Sequence, residues 1–314
     1  MKKSVLCSTL VAALGMPALA FAQPMAPMNT PTAAQPTASM GMNEPSGQTN
    51  QGALHFGADL NFATSYFFRG YNQEDIGLIF QPNVYGYTDL ITADADSTLS
   101  GLRAKVGLWN SLHSEQTASD GFWYEADLYA SLTANFASDY YATLLFTYYT
   151  YPDDAFESIQ EFGLAGGIVD VTNYWDKSEG KMFTMPLEYG VYIETSDGNG
   201  DEDIYTELKL TPTFAFGNEF VPSFGKPTLS IPMVLGGSFD GYYTDDDGGH
   251  ENLGFFSVGA SMSLPMEFMP AKYGTWNLVG GINYIYLIAD SAENANDGGE
   301  DYELQGTIGV SMTY

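Results

Sequence analysis

The 314-residue chain carries 10 Lys and Arg against 39 Asp and Glu, a formal net charge of −29, with 34 glycines, 22 tyrosines and 20 phenylalanines. So few cations exclude a nucleic-acid binder that works by neutralising phosphates. A 15% aromatic content beside only 16% charged residues excludes a chain disordered throughout.

Residues 1–22 read as a secretory signal peptide, with Lys2 and Lys3 before an apolar core from Val5 to Leu19 and a small-x-small site at Ala20-Phe21-Ala22. Its removal takes Cys7, the single cysteine, and so excludes disulfides and thiol chemistry in the exported chain. Residues 23–52 have the composition of a disordered tether rich in Pro, Met and Thr, with prolines at 24, 27, 31, 36 and 45. Beyond it no apolar run reaches the roughly 20 residues of a membrane helix, which leaves open a β-barrel crossing in segments of about 10.

From Leu54 to Phe68 every even position except Thr64 is apolar or aromatic, and Asp59 and Asn61 are among the odd ones. This period of two predicts one strand with a greasy face. The pattern recurs at 102–108, 124–136, 187–193 and 204–211. Further strands near 76–89, 140–150, 158–168, 228–239, 253–264, 275–288 and 303–314 bring the total to about twelve. An even number suits an all-β, antiparallel up-and-down transmembrane barrel spanning 53–314. Aromatics at the ends of the apolar faces, Tyr66, Phe68, Tyr124, Phe136, Phe214, Phe216 and Trp276, are expected in interfacial girdles. The last strand alternates to a terminal Tyr314, resembling the assembly signal of outer-membrane barrels and implying insertion by the barrel-assembly machinery. With a periplasmic amino terminus, the acidic segments 110–121, 196–203, 242–251 and 290–301 become outward loops. The connection 169–185 is long for the opposite side.

Two motifs carry a family resemblance. Ser65-Tyr66-Phe67-Phe68-Arg69-Gly70-Tyr71-Asn72-Gln73, and Tyr148-Tyr149-Thr150-Tyr151-Pro152 followed by a strand with Glu161, resemble the TorF family of porin-like outer-membrane proteins. Asn72 stands where that family usually has serine, and the resemblance covers about residues 58–168. It implies an outer-membrane barrel of a Gram-negative-type bacterium with a channel role. By position Arg69 is expected at the mouth, near Glu74 and Asp75, either ordering the loop and meeting anions or forming an ordinary rim salt bridge.

The polar faces place Arg103, Lys105 and Lys209 against Asp59, Glu125, Asp127, Glu161, Glu188, Glu194 and Glu207. An acid excess of this kind suits a cation-preferring pore for small polar solutes. It serves equally to rigidify a closed barrel, with Lys105 and Asp127 as expected partners across one hairpin. Asp197, Asn199, Asp201 and Asp203 repeat the first oxygen spacing of an EF-hand, but Glu202 and Leu208 stand where glycine and glutamate are needed. These residues suit loosely held calcium or a solvated turn. With three histidines and His113 adjoining only Ser114 in a predicted loop, no hydrolytic pairing is expected, and the chain reads as a non-enzyme without a firm cofactor. The leading reading is a passive outer-membrane channel in contact with lipid. The alternative is a closed structural or adhesive barrel acting through its acidic loops.

Overall fold

A computed structural model describes residues 52–314 apart from 95–96, 118–120, 138, 179, 197–202, 246–247 and 297–298. The expected signal peptide, nearly all of the tether, and Asp197, Asn199 and Asp201 lie outside the described residues. In chain order the strands are β1 (His55–Ala63), β2 (Tyr66–Phe68), β3 (Tyr71–Glu74), β4 (Ile79–Thr92), β5 (Gly101–His113), β6 (Trp123–Phe136), β7 (Tyr140–Thr150), β8 (Ile159–Ile168), β9 (Phe183–Thr184), β10 (Leu187–Ser196), β11 (Ile204–Leu210), β12 (Thr213–Ala215), β13 (Thr228–Ser230), β14 (Met233–Asp240), β15 (Leu253–Pro265), β16 (Thr275–Leu287) and β17 (Tyr302–Thr313).

Twelve of these, β1, β4–β8, β10, β11 and β14–β17, form an antiparallel ring closed where β1 pairs with β17 at Leu60↔Val310. Closure leaves no ring strand with an open edge, and the even number of strands puts both ends of the described chain on one rim, tied by paired backbone bonds between Phe56 and Tyr314. We call this the terminal rim and its opposite the loop rim.

Three prolines interrupt adjacent strands near the terminal rim. Pro186 separates β9 from β10, Pro212 separates β11 from β12, and Pro232 separates β13 from β14. Proline has no N–H to donate to the ladder, but its carbonyl still accepts: Thr211, Ile231 and Gly259 donate to Pro186, Pro212 and Pro232 at 3.0, 2.8 and 2.9 Å. Register survives the gap, with Leu210↔Met233 before it and Thr213↔Ser230 beyond. The wall therefore continues past the prolines through β9, β12 and β13 on this side. The long 169–186 connection is braced by Asp170, which accepts from the Thr172 and Met185 amides at 2.9 Å each and from Lys181 at 2.6 Å.

The polarity of the wall is inverted relative to a soluble domain. Leu128, Leu144, Leu164 (56% exposed), Ile282 and Ile308 (59%) point outward, while Asp59, Asn61, Asp127 and Glu161 are buried inside. Parity within a ladder fixes this, since a one-residue slip would exchange the two faces.

Two expectations fail. The first strand ends at Ala63 instead of running to Phe68, because the chain turns inward and residues 66–74 form the separate β2–β3 hairpin. Tyr66 and Phe68 are thus buried and not girdle residues. Tyr124 is also inside: Ser111 pairs with Glu125 and Leu112 with Trp123, so a bulge at Tyr124 leaves Trp123 outward and turns both Tyr124 and Glu125 inward.

Candidate functional site in the barrel lumen

Arg69 and Gly70 turn the β2–β3 hairpin, both with positive φ (48° and 86°), as a two-residue type I′ connection requires. Glycine suits its position, where a Cβ would stand 3.0 Å from the Phe255 Cβ. Arginine does not suit the left-handed region, which costs an L-residue about 1–2 kcal/mol. Interactions of its side chain offset that cost.

The Arg69 guanidinium lies 2.7 Å from Glu161 Oε2 on β8 and 3.4 Å from Glu194 Oε1 on β10. It also stands over the Tyr205 ring at 4.0 Å, with Phe68, Tyr192 and Tyr242 between 4.7 and 5.5 Å. Arg69 is therefore neither a mouth residue near Asp75 nor a rim salt bridge. It is a buried cation holding a hairpin inside the barrel.

Both faces of that hairpin are covered. Tyr66 and Phe68 pack with Trp109, Tyr124 and Tyr149 from one wall, and Phe67 and Tyr71 with Tyr205, Tyr243 and Phe255 from the other. Its polar groups find partners across the lumen. Tyr66 donates to Glu125 at 2.8 Å, Tyr124 to Gln73 at 3.0 Å, Tyr71 to the Tyr242 carbonyl at 2.8 Å, and Tyr243 to the Arg69 carbonyl at 2.8 Å. Gln305 donates to the Ser65 carbonyl at 2.7 Å. Glu74 fixes the exit by accepting from the Asp75, Ile76 and Thr117 amides. The loop-rim half of the lumen is filled by this segment.

The expected lumen residues divide by depth. Towards the loop rim, Glu125, Asp127, Glu161 and Glu194 are at most 1% exposed. Glu161 accepts from Tyr149 at 3.0 Å, whereas Asp127 has only the neighbouring Glu125 carboxyl as a hydrogen-bonding partner. Nearer the terminal rim the side chains are wetter. Arg103 forms a fork on Asp89 at 2.7 and 2.9 Å, and Lys209 pairs with Glu207 and with Glu188, the latter at 3.4 Å. Asp59 accepts from Asn83 at 3.1 Å.

The expected Lys105–Asp127 pair is not formed. Lys105 faces Ser131 across the ladder and Asp127 faces Trp109, while the Lys105 ammonium stands 4.0 Å from the Tyr85 ring centroid. Asp203 is described without its three companions, and no group of three or more metal-ligating side chains occurs among the described residues.

Structure brings Ser111 Oγ within 2.7 Å of His113 Nε2, a pair two residues apart on one strand face. Sequence reasoning instead weighed Ser114, which accepts from the Leu78 amide. Ser111 and His113 are fully buried, the imidazole is stacked at 4.6 Å on Tyr124, and its Nδ1 meets no acceptor. The orienting carboxylate of a triad is missing from this enclosed pair.

The hairpin itself was the feature missed. Its signal was present: three consecutive aromatics, Tyr66, Phe67 and Phe68, break the alternation, and Arg-Gly is followed by Tyr71. A segment apolar on both faces belongs in an interior.

No family profile matches the chain, the TorF type included, and no curated protein is similar to it in sequence. Among solved structures, an outer-membrane channel from Pseudomonas putida F1 is 11% identical, with 87% of this chain and 99% of that one covered and a TM-score of 0.45. The NanC porin is 12% identical over 81% and 98% of the chains, at 0.42. The translocator domain of the autotransporter NalP from Neisseria meningitidis is 14% identical over 85% and 90%, at 0.38.

Proposed function

We propose that this chain is an outer-membrane barrel of a Gram-negative-type bacterium and a channel for small polar, preferentially cationic, solutes, closed in the present conformation by the β2–β3 hairpin. The observation that carries this reading is the inverted wall, with exposed aliphatic side chains outside and an acid-rich polar surface inside. Ring strands such as β8 with 10 residues and β4 with 14 have the length that a tilted crossing of the bilayer needs. β17 reaches the terminal rim with Leu304, Ile308 and Tyr314 outward, a surface suited to the barrel-assembly machinery.

Selectivity follows from charge. With the hairpin displaced, Glu125, Asp127, Glu161 and Glu194 line the path without Arg69, and their field concentrates cations. Planar-bilayer recording tests this. We expect brief openings whose reversal potential in a salt gradient favours cations and weakens as salt rises. Anion preference at low salt overturns the selectivity.

The alternative, a closed structural or adhesive barrel acting through its loops, draws on the same hairpin, whose side chains fill the loop-rim half so completely. Persistent electrical silence of both the unaltered protein and variants that free the hairpin would favour it.

A further inference from the structure

The cations outside the lumen are distributed one-sidedly. Lys177, Lys181, Lys226 and Lys272 all lie in three terminal-rim connections, 169–186, 216–227 and 266–274, which are neighbours around the wall from β8 to β16. The loop-rim connections contain no Lys or Arg other than Arg69, which is folded inside. Connections 93–100 and 137–139, on the other side of the terminal rim, contain neither a cation nor an aromatic.

Exposed aromatic rings accompany the lysines. Lys177 follows Tyr174 and Trp175, Phe220 shares its connection with Lys226, and Lys272 stands 4.8 Å from the Tyr273 ring with exposed Phe268 in the same connection. Lys181 is committed to Asp170, but Lys177, Lys226 and Lys272 are exposed and make no ion pair among the described residues. This surface is continuous with the apolar wall, since the prolines let β9 and β12 carry the tilted ring pair Phe183 and Phe214, 4.8 Å apart, toward the rim. Amphipathic rings with ammonium groups beside them, at the edge of an apolar wall, match the chemistry of the headgroup layer.

We propose that this sector of the terminal rim is a docking surface for anionic phospholipid headgroups of the leaflet it faces. It rests on the membrane reading above. By sequence Asp176, Glu179, Glu219 and Glu267 lie in the same connections and reduce the attraction, so the preference should be set by the lysines over an opposing background.

The test uses the full mature chain reconstituted in phosphatidylcholine bilayers, with spin-labelled phosphatidylglycerol or spin-labelled phosphatidylcholine as probe and the protein-restricted fraction read by electron paramagnetic resonance. We expect an association preference of about fivefold for phosphatidylglycerol, the order of one lysine's attraction at a headgroup surface. It should collapse in the variant K177Q/K226Q/K272Q, and in the unaltered protein at high salt. Equal association of the two lipids with the inserted, unaltered protein overturns the proposal, as does a preference that survives the triple substitution. The salt arm needs no variant, so a triple variant that fails to insert leaves the proposal exposed to refutation. A chain that does not enter bilayers at all fails the membrane reading instead. Equal lipid association together with specific capture of an acidic periplasmic protein would assign the surface to that partner and overturn the lipid proposal.

Discussion

Arg69 offers the sharpest test of closure. Replacing it with methionine retains apolar bulk but leaves Glu161 and Glu194 buried without their cation, a change that costs about 3–5 kcal/mol when one partner of a buried pair is removed. Methionine meets the same left-handed backbone cost as arginine, whereas Arg69→Asn, which suits a type I′ turn better, recovers up to about 1–2 kcal/mol. Docking is therefore weakened by about 3–5 kcal/mol in Arg69→Met and by about 1–4 kcal/mol in Arg69→Asn, and at 1.4 kcal/mol per decade the undocked population rises about 100- to 4,000-fold and about 5- to 700-fold respectively. Burial of Tyr66, Phe67, Phe68 and Tyr71 contributes about 6–12 kcal/mol in total, so the hairpin of the variant remains mostly docked. Single-channel recording should then show openings of unchanged amplitude at a frequency higher by at least about a hundredfold in Arg69→Met and at least about fivefold in Arg69→Asn. Folded, inserted variants with the opening frequency of the unaltered protein would refute the assignment of closure to the hairpin.

Cysteine scanning reads the same geometry chemically. A water-soluble maleimide should label Ser131→Cys readily and Leu128→Cys or Leu132→Cys in bilayers hardly at all, while Asp127→Cys stays protected unless Arg69 is also replaced; fast labelling of position 127 alone contradicts a filled lumen. Gly107→Ala should lower stability by about 1–3 kcal/mol, read as the denaturant midpoint in micelles, because an added Cβ would overlap the Tyr129 ring. Asp170 responds to pH: burial pushes its carboxyl up, but the bonds from Lys181, Met185 and Thr172 outweigh this and hold it below the ordinary 3.8. Its contribution is therefore complete above that value and is lost as pH falls through the lowered native one, so amide-exchange protection at Thr172 and Met185 should drop in strong acid and Asp170→Asn should abolish that dependence.

The sequence by itself determined the twelve ring strands, their faces over most of their length and the side on which each connection falls. Alternation is a local property, and a pleated strand whose two faces meet different media writes it directly into the residue order. Asp59, Arg103, Glu188 and Lys209 were legible as inward residues for that reason. Tertiary structure decided what local pattern leaves degenerate. Tyr66 to Phe68 satisfies strand parity whether the chain continues along the wall or turns inward, and the choice rests on cover from both walls and on Glu161 and Glu194, 92 and 125 residues away from Arg69. One extra residue at Tyr124 reversed the parity of the strand end without any compositional mark, moving an expected girdle tyrosine into the core. Pairing among interior charges was undetermined as well, because register between strands, and not spacing within one, set Lys209 beside Glu188 and kept Lys105 from Asp127. Long-range packing chose among arrangements that the period of two permits equally, and that choice made a polar lumen a filled one.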